Sequence, residues 1–112
     1  MKHNLKLNNG PYNSICYGKK DIELRLYDEK RRRISIGDII TFTNNTTLDS
    51  FDVKVINLHI CDSFDDIYNR FNKVRLGYKE DEMASPSDME KYYSREEINR
   101  YGVLGIEIEK II

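Results

Sequence analysis

The order of β-prone and helical segments is the feature that most constrains what this chain can fold into. Apolar and polar residues alternate in segments that predict five strands, over residues 3–7, 22–26, 39–43, 51–60 and 103–108. Short helices are predicted over residues 11–17, 64–71, 86–93 and 95–101. A small sheet leaves its edges exposed unless it curls. We therefore predict an α+β fold whose curled sheet of five to six strands forms a pseudo-β-barrel with flanking short helices.

Local signals refine this outline at three places. The alternation of the fourth strand slips by one residue around Ile56 and Asn57, which predicts a β-bulge. Ser94 and Glu97 have the spacing of a capping box, so a helix is expected to begin there. Residues 73–83 show no clear periodicity and are predicted to form an irregular, mobile loop beside the functional site.

The second predicted strand carries an unusual group of charged residues. Because its apolar residues alternate, Glu23 and Arg25 should share the opposite face of a half-buried strand. Lys20 can join them only if the regular strand begins after it or bends there, which Gly18 permits. Such a cluster costs stability unless a function uses it, so a functional site is one interpretation. The alternative is a network of exposed ion pairs, each worth about 0–1 kcal/mol.

The composition is that of a globular protein. The chain has 112 residues, of which 39% are hydrophobic and 33% are charged, and this fits one compact domain over residues 1–112. No apolar run approaches the roughly 20 residues that cross a bilayer, and residues 1–4 lack the apolar core of a signal peptide. We therefore expect a cytoplasmic protein that does not associate with membranes.

Cys16 and Cys61 lie far apart in the sequence and lack the closely spaced pairs of zinc ligands. Cys16 could in principle be a nucleophile, but no His lies near it in the sequence. Small buried cysteines are more common than reactive ones. We expect two buried, reduced thiols, no metal and no cofactor.

The charges are distributed unevenly along the chain. Residues 1–37 contain nine Lys or Arg against four Asp or Glu, a net charge of +5, whereas residues 38–112 contain nine against fifteen, a net charge of −6. A basic half suggests that one face meets an anion such as a phosphate or a nucleic acid. The densest cationic run is predicted either to track a nucleic-acid backbone or to form a solvated loop. It comprises Lys30, Arg31, Arg32 and Arg33.

Three motifs in this order resemble those of a known family. They are Gly18-x-Lys20-x-x-Glu23-x-Arg25, Ile36-Gly37-Asp38-x-Ile40-x-Phe42, and Tyr92-Tyr93-Ser94-x-Glu96 with Tyr101-Gly102-Val103-Leu104-Gly105-Ile106. On these motifs the sequence resembles the ASCH domain, a branch of the PUA-like superfamily, over nearly the whole chain. The resemblance is to single-domain members of bacterial type.

The resemblance implies a PUA-like pseudo-barrel with a cleft that is lined by Lys20, Glu23 and Arg25. It also implies binding of RNA or modified nucleosides. One ASCH branch resembles small amidohydrolases that act on N4-acetylcytidine, with a lysine at the position of Lys20 and a threonine nucleophile at the position of Glu23. The chain departs from that branch, because a glutamate cannot perform the attack of a threonine unchanged.

Each candidate residue is given a role in ligand binding. Arg25 offers a planar fork to a phosphate or a base carbonyl, and Lys20 offers a mobile point charge. Glu23 either orients Arg25 or accepts a hydrogen bond from a base amino group. Tyr92 and Tyr93 precede a helix start, and we expect one to pack in the core and the other, Tyr93, to line the cleft.

Two functions remain open, together with a third that requires a partner. The first is binding of RNA or a nucleotide-like ligand, and the alternative is a small hydrolase of modified nucleosides or RNA. In the hydrolase Lys20 and Glu23 would be catalytic, with a second carboxylate from the irregular loop. The candidates for that carboxylate are Glu80, Asp81 and Glu82. A protein-binding adaptor is the third possibility.

Overall fold

The secondary structure follows the predicted order. The computed structural model describes residues 1–111. Its strands are β1 (Lys2–Leu7), β2 (Ile22–Leu26), β3 (Ile39–Asn44), β4 (Ser50–Cys61) and β5 (Val103–Lys110). Its α-helices are α1 (Asn9–Cys16), α2 (Phe64–Arg70) and α3 (Arg95–Tyr101), and two 3₁₀ helices span Arg31–Arg33 and Pro86–Lys91.

The strands form one mixed sheet in the order β1-β3-β4-β5-β2. β1 runs parallel to β3, and the other neighbouring strands are antiparallel. The sheet curls into a half-barrel with β1 and β2 as its edges, which confirms the predicted α+β pseudo-barrel. A register shift between Val55 and Asn57 confirms the predicted bulge in β4.

Two apolar clusters pack on opposite faces of the sheet. The first contains Phe42, Leu104 and Ile106, and the second joins Val103 of β5 to Phe64 of α2. Consecutive residues of β5 thus enter different clusters, as expected from the alternation of side chains along a strand. The sheet is therefore covered on both faces where β5 crosses it.

β2 is buried on both faces, whereas the sequence predicted a half-buried strand. Ile22 and Leu24 pack in the second cluster. Glu23 lies opposite Ile106 in the antiparallel register, so its side chain lies on the face of the first cluster. Glu23 is only 4% exposed. The charged residues of β2 therefore lie at the opening of the half-barrel and not on a solvated outer face.

The ends of the helices agree with the capping signals in most places. Ser94 and Glu97 form both hydrogen bonds of the capping box at the start of α3, as predicted. α1 begins at Asn9, two residues earlier than predicted. The segment predicted as a helix from Pro86 is a 3₁₀ helix that ends at Lys91. None of the helices in residues 1–111 is long and apolar enough to span a bilayer.

Both cysteines are free thiols. Cys61 is buried, as expected, but Cys16 is only partly buried. Cys16 is the last residue of α1, and the Lys110 ammonium lies 3.2 Å from its carbonyl oxygen and 3.5 Å from its sulfur. The prediction of two buried thiols was therefore wrong for Cys16.

Residues 72–85 contain neither a helix nor a strand, as predicted for the irregular loop. The loop is anchored to the start of β2, where the backbone N–H groups of Asp21 and Ile22 both donate to the carbonyl oxygen of Arg75 at 3.1 Å. The Arg75 guanidinium also donates to both carboxylate oxygens of Asp21, at 2.9 and 3.2 Å. This double anchor places the following residues beside Lys20.

Candidate functional site

An open cleft of about 580 Å³ lies between the two edge strands of the half-barrel. Its walls come from β1 and the start of α1, from residues 20–25, and from residues 76–93. The four residues predicted to bind a ligand all line it, namely Lys20, Glu23, Arg25 and Tyr93. Lys6 and Lys91 add two more cations.

A single carboxylate joins the two predicted cations. The Lys20 ammonium lies 2.9 Å from Oε1 of Glu23, and Nε and Nη2 of Arg25 donate to Oε2 at 3.0 and 2.7 Å. Lys20 and Glu23 are 8% and 4% exposed, respectively. Regular strand structure begins at Ile22, after Lys20, which is the condition under which Lys20 was expected to join the pair. The buried Lys20 and Glu23 and the partly buried Arg25 thus form one charged cluster.

The electrostatics of this cluster keep Glu23 ionised. Burial raises the pKa of the Glu23 carboxyl, but the charges and hydrogen bonds of Lys20 and Arg25 outweigh burial and lower the pKa to about 2. Burial lowers the pKa of Arg25, and the Glu23 carboxylate outweighs that effect and raises it. A carboxylate with so low a pKa is a weak base near neutral pH. Its position favours the orienting role predicted for Glu23.

Arg25 also bridges the opening between the two edge strands. Its Nη2 donates to the backbone carbonyl oxygen of Lys6 in β1 at 3.1 Å. Edge strands present unpaired backbone groups, and this side chain satisfies one of them across the cleft. Within residues 1–111, Nη1 of Arg25 donates to no protein acceptor, and Lys20 has only Glu23 as a partner. Both cations therefore keep donors for a ligand.

Gly77 lies against Lys20 on the loop side of the cleft. Its φ of +111° is unfavourable for residues with a side chain, and a Cβ atom built there would lie 3.0 Å from Cδ of Lys20. The glycine therefore leaves the space that the buried lysine stem occupies. No pattern in the sequence indicates this contact, because it joins residues 57 positions apart and Gly77 lies in an irregular loop.

Gly77→Ala is expected to move Lys20 away from Glu23 and to lower the free energy of unfolding by about 1–2 kcal/mol through backbone strain. Gly37→Ala is the matched control, because Gly37 has a φ of +94° and a Cβ atom added there would have no neighbour within 4 Å. Urea unfolding should show similar losses for both, whereas ligand affinity should fall only in Gly77→Ala. Equal affinities in the two variants would show that Lys20 does not need this space.

The opposite wall of the cleft carries a chain of hydroxyl groups that no sequence pattern predicted. The Tyr78 hydroxyl donates to Oδ2 of Asp88 at 2.7 Å and lies 2.8 Å from the Tyr68 hydroxyl. Burial, followed by the hydrogen bonds to these neighbours, raises the pKa of Tyr78, whereas the hydrogen bond from Tyr78 lowers the pKa of Asp88. The spacing of Ser85 and Asp88, which form a capping box, is the signal that could have located Asp88.

Tyr92 and Tyr93 both line the cleft, and they do so differently. The Tyr93 ring stacks on Phe64 with centroids 6.2 Å apart, so Tyr93 joins the second apolar cluster while lining the cleft. Tyr92 is 64% exposed. The sequence predicted that one tyrosine would pack in the core and that Tyr93 would line the cleft. In the structure Tyr93 combines both positions.

The three acidic residues of the irregular loop differ in their position relative to the cleft. Glu82 lines the cleft, whereas Glu80 and Asp81 do not. The side chain of Glu82 accepts from the backbone N–H of Lys79 at 2.8 Å, which fixes it at the rim. Across residues 1–111, no group of three or more His, Cys, Asp or Glu side chains is arranged to hold a metal ion.

The cationic run lies outside the cleft, around the first 3₁₀ helix. Arg31 pairs with Asp28 at 2.8 Å, and the Arg32 guanidinium lies over the ring of Tyr27 at 4.3 Å from its centroid. Lys30 and Arg33 are exposed and form no ion pair within the described part of the chain. Half of the run thus has a local partner.

Comparison with known proteins agrees with this fold. The family model of the ASCH domain matches residues 5–112. The chain belongs to the ASCH domain family. Members of this family have a PUA-like fold, which is consistent with RNA binding.

Two solved structures are similar to this ASCH domain over nearly their whole lengths. The hypothetical protein PH0355 is 34% identical with a TM-score of 0.83, covering 99% of this chain and 100% of the other. Protein PF0455 from Pyrococcus furiosus is 30% identical with a TM-score of 0.74, covering 99% and 98%. These neighbours are archaeal, so membership of a bacterial type stays a prediction. No curated protein matches the chain.

Proposed function

We propose that residues 1–112 form a single ASCH domain that binds RNA, or a nucleotide-like ligand such as a modified nucleoside, in the cleft. The observation that carries the proposal is the charged cluster in which Glu23 holds Lys20 and Arg25 together. Burying three charged groups is costly unless each is paired. The arrangement positions two cations at the cleft surface and leaves part of their hydrogen-bonding capacity for an anionic or carbonyl-bearing ligand.

The aromatic side chains of the cleft supply the second element of this proposal. A base stacked on an aromatic ring contributes about 1–3 kcal/mol. Tyr93 stacks on Phe64 and lines the same cleft as Arg25. Burial raises the pKa of Tyr93, and the positive charge of Arg25 partly offsets this increase. In this proposal Arg25 and Lys20 contact a phosphate or base carbonyl, and Tyr93 contacts the base.

The cationic run extends the proposal beyond the cleft. Lys30, Arg32 and Arg33 are exposed, and Arg31 is partly buried in its pair with Asp28. We assign these residues to the phosphate backbone of a nucleic acid. Binding through them should weaken as salt increases, because each neutralised phosphate releases condensed counterions.

A cytoplasmic location and a bacterial type of ASCH domain also belong to the proposal. The location is supported by the two free thiols, because cysteines remain unpaired in reducing compartments. Membrane partners have no role in this proposal.

A small hydrolase is the second candidate function. The observation that favours it is that the Lys20 ammonium contacts Glu23 inside the cleft. The ASCH amidohydrolases have a lysine at the position of Lys20. The substrate would be a modified nucleoside such as N4-acetylcytidine, or RNA. The low pKa of Glu23 disfavours this carboxylate as the base. The Lys20 ammonium would therefore serve as a proton donor to the leaving group.

Incubation with N4-acetylcytidine and a labelled single-stranded RNA separates the two functions. We expect salt-sensitive retardation of the RNA without product, and Lys20→Ala should weaken this retardation at least tenfold because it removes a cation from the cleft. Lys54→Ala, which removes an exposed lysine from β4, is the control. Product formation that is lost in Lys20→Ala would favour the hydrolase, and neither retardation nor product would reject both functions.

A further inference from the structure

A second groove lies beyond the cleft, at the other end of β2. Its volume is about 390 Å³. The first residue after β2, Tyr27, lines this groove, together with the end of β4 and the end of α3. The residues used below are Tyr27, Arg32, Asp62, Asn99, Arg100 and Tyr101. Of these six residues, only Tyr101 belongs to the three ASCH motifs.

Two arginines in the groove are held by aromatic rings. The Arg32 guanidinium lies 4.3 Å from the centroid of Tyr27, and the Arg100 guanidinium lies 5.5 Å from that of Tyr101. Neither side chain forms an ion pair or a hydrogen bond with another residue of the described chain, unlike Arg25 and Arg75. A stacked guanidinium keeps its in-plane N–H donors free, and those donors match the two oxygens of a phosphate.

The strand that carries the cleft cations leads directly to this groove. Arg25 and Tyr27 are two residues apart, so their side chains lie on the same face about 7 Å from each other along the strand. Arg31 begins the first 3₁₀ helix, which follows this strand along the chain, and its guanidinium pairs with Asp28 at 2.8 Å. The two cations of the charged cluster, Arg31 and Arg32 thus follow one another along one segment of the chain, residues 20–32, and this succession defines a basic path from the cleft to the second groove.

From this path we propose that the second groove binds the nucleotides that flank the one in the cleft, so that the ligand is a single-stranded RNA of several nucleotides. This inference rests on the proposed function of the cleft. Arg32 and Arg100 contact successive phosphates, and the groove offers Asn99 and Asp62 as hydrogen-bonding partners for a base. The Asp62 carboxylate accepts hydrogen bonds from a base amino group, and its negative charge repels a phosphate at the same position.

Displacement of a labelled eight-nucleotide RNA of random sequence tests the proposal. The competitors are mixed nucleoside monophosphates and random single-stranded RNAs of two, four and eight nucleotides. The double variant Arg32→Ala/Arg100→Ala should bind the monophosphates like the wild type and bind the octamer at least tenfold more weakly. Its salt slope should decrease by about 1.4, since each phosphate contact to a single strand contributes about 0.7.

Two further proteins complete the design. Lys54→Ala/Arg95→Ala removes two exposed charges elsewhere and should leave the octamer affinity within twofold of the wild type. Arg25→Ala should abolish binding of the monophosphates and of the octamer alike. Both double variants should unfold in urea at wild-type midpoints, because the replaced side chains are exposed.

Each other outcome overturns a defined part of the inference. Unchanged octamer affinity and salt slope in Arg32→Ala/Arg100→Ala would remove the groove from the RNA path. A loss in that variant with no effect of Arg25→Ala would overturn the basic path, and it would also reject the proposed function of the cleft. Displacement by a polyglutamate peptide as effective as that by the octamer would reject RNA as the occupant.

Discussion

Replacing Glu23 with Gln should lower the free energy of unfolding by about 3 kcal/mol at pH 7. Removing one partner from a buried ion pair is strongly destabilising, because the remaining charge stays buried without compensation. Here two cations would remain, since Lys20 lies 2.9 Å and Arg25 2.7 Å from oxygens of the same carboxylate. An amide oxygen can accept a hydrogen bond from one of them and carries no charge to offset either. Urea unfolding at constant salt measures the difference.

Glu109→Gln is the matched control for this prediction. This substitution makes the same chemical change at an exposed residue of β5, and Glu109 forms no ion pair within the described residues. Its replacement should alter the free energy of unfolding by less than about 0.5 kcal/mol. A loss of the same size in both variants would mean that net charge, and not the charged cluster, determines the effect.

The pKa of Glu23 predicts the pH range over which this stabilisation disappears. Burial raises the pKa, Lys20 and Arg25 outweigh it, and the folded-state pKa falls from 4.5 to about 2. A carboxyl whose pKa is lowered by folding stabilises the protein above its unfolded-state pKa, and the contribution is lost as the pH falls through the folded-state pKa. The curves of wild type and Glu23→Gln should therefore lie apart above pH 4.5 and converge towards pH 2.

Comparing the wild type with Glu23→Gln removes the contribution of Asp38, whose pKa is also lowered in the folded protein. Hydrogen bonds from His3 and from the Ser35 backbone, which outweigh burial, lower the pKa of Asp38 to about 2. Asp38 is present in both proteins, so it contributes equally to both curves. Parallel curves down to pH 2 would show that the folded structure does not lower the pKa of Glu23.

The sequence predicts the strands and the charged cluster because both depend on local patterns. Alternation locates β2, and the shared parity of Glu23 and Arg25 places them on one face, where the structure pairs them. The burial of that face was not predicted. It follows from the antiparallel pairing of Glu23 with Ile106, which joins residues 83 positions apart. Periodicity identifies the face but not what covers it.

The opposite wall of the cleft could not be predicted for the same reason. Tyr68 has helical spacing with Phe64 and resembles a core residue, and Tyr78 lies in a loop without periodicity. Only the tertiary fold brings the two hydroxyls to 2.8 Å from each other. The anchor at Arg75, which sets the position of this loop, is likewise a long-range contact with Asp21.

Arg25 is expected to have the largest effect on ligand binding of any cleft residue. Its guanidinium makes two hydrogen bonds to Glu23 and one to the Lys6 carbonyl oxygen, which fixes the plane in which Nη1 meets a ligand. Arg25→Lys keeps the charge but loses that plane, and it should weaken RNA binding about 10- to 100-fold, the equivalent of one hydrogen bond to a charged group. Arg25→Ala should abolish binding. Fluorescence anisotropy at fixed salt measures both.

The pair of variants separates geometry from charge. Arg95 is exposed and pairs only with Glu90 among the described residues, so Arg95→Lys should leave affinity unchanged. If Arg25→Lys binds as tightly as the wild type while Arg25→Ala does not, Arg25 acts as a point charge and the planar fork is unnecessary. If a folded Arg25→Ala protein retains full affinity, Arg25 serves only to bridge β1 and β2, and the RNA site must lie elsewhere on the domain.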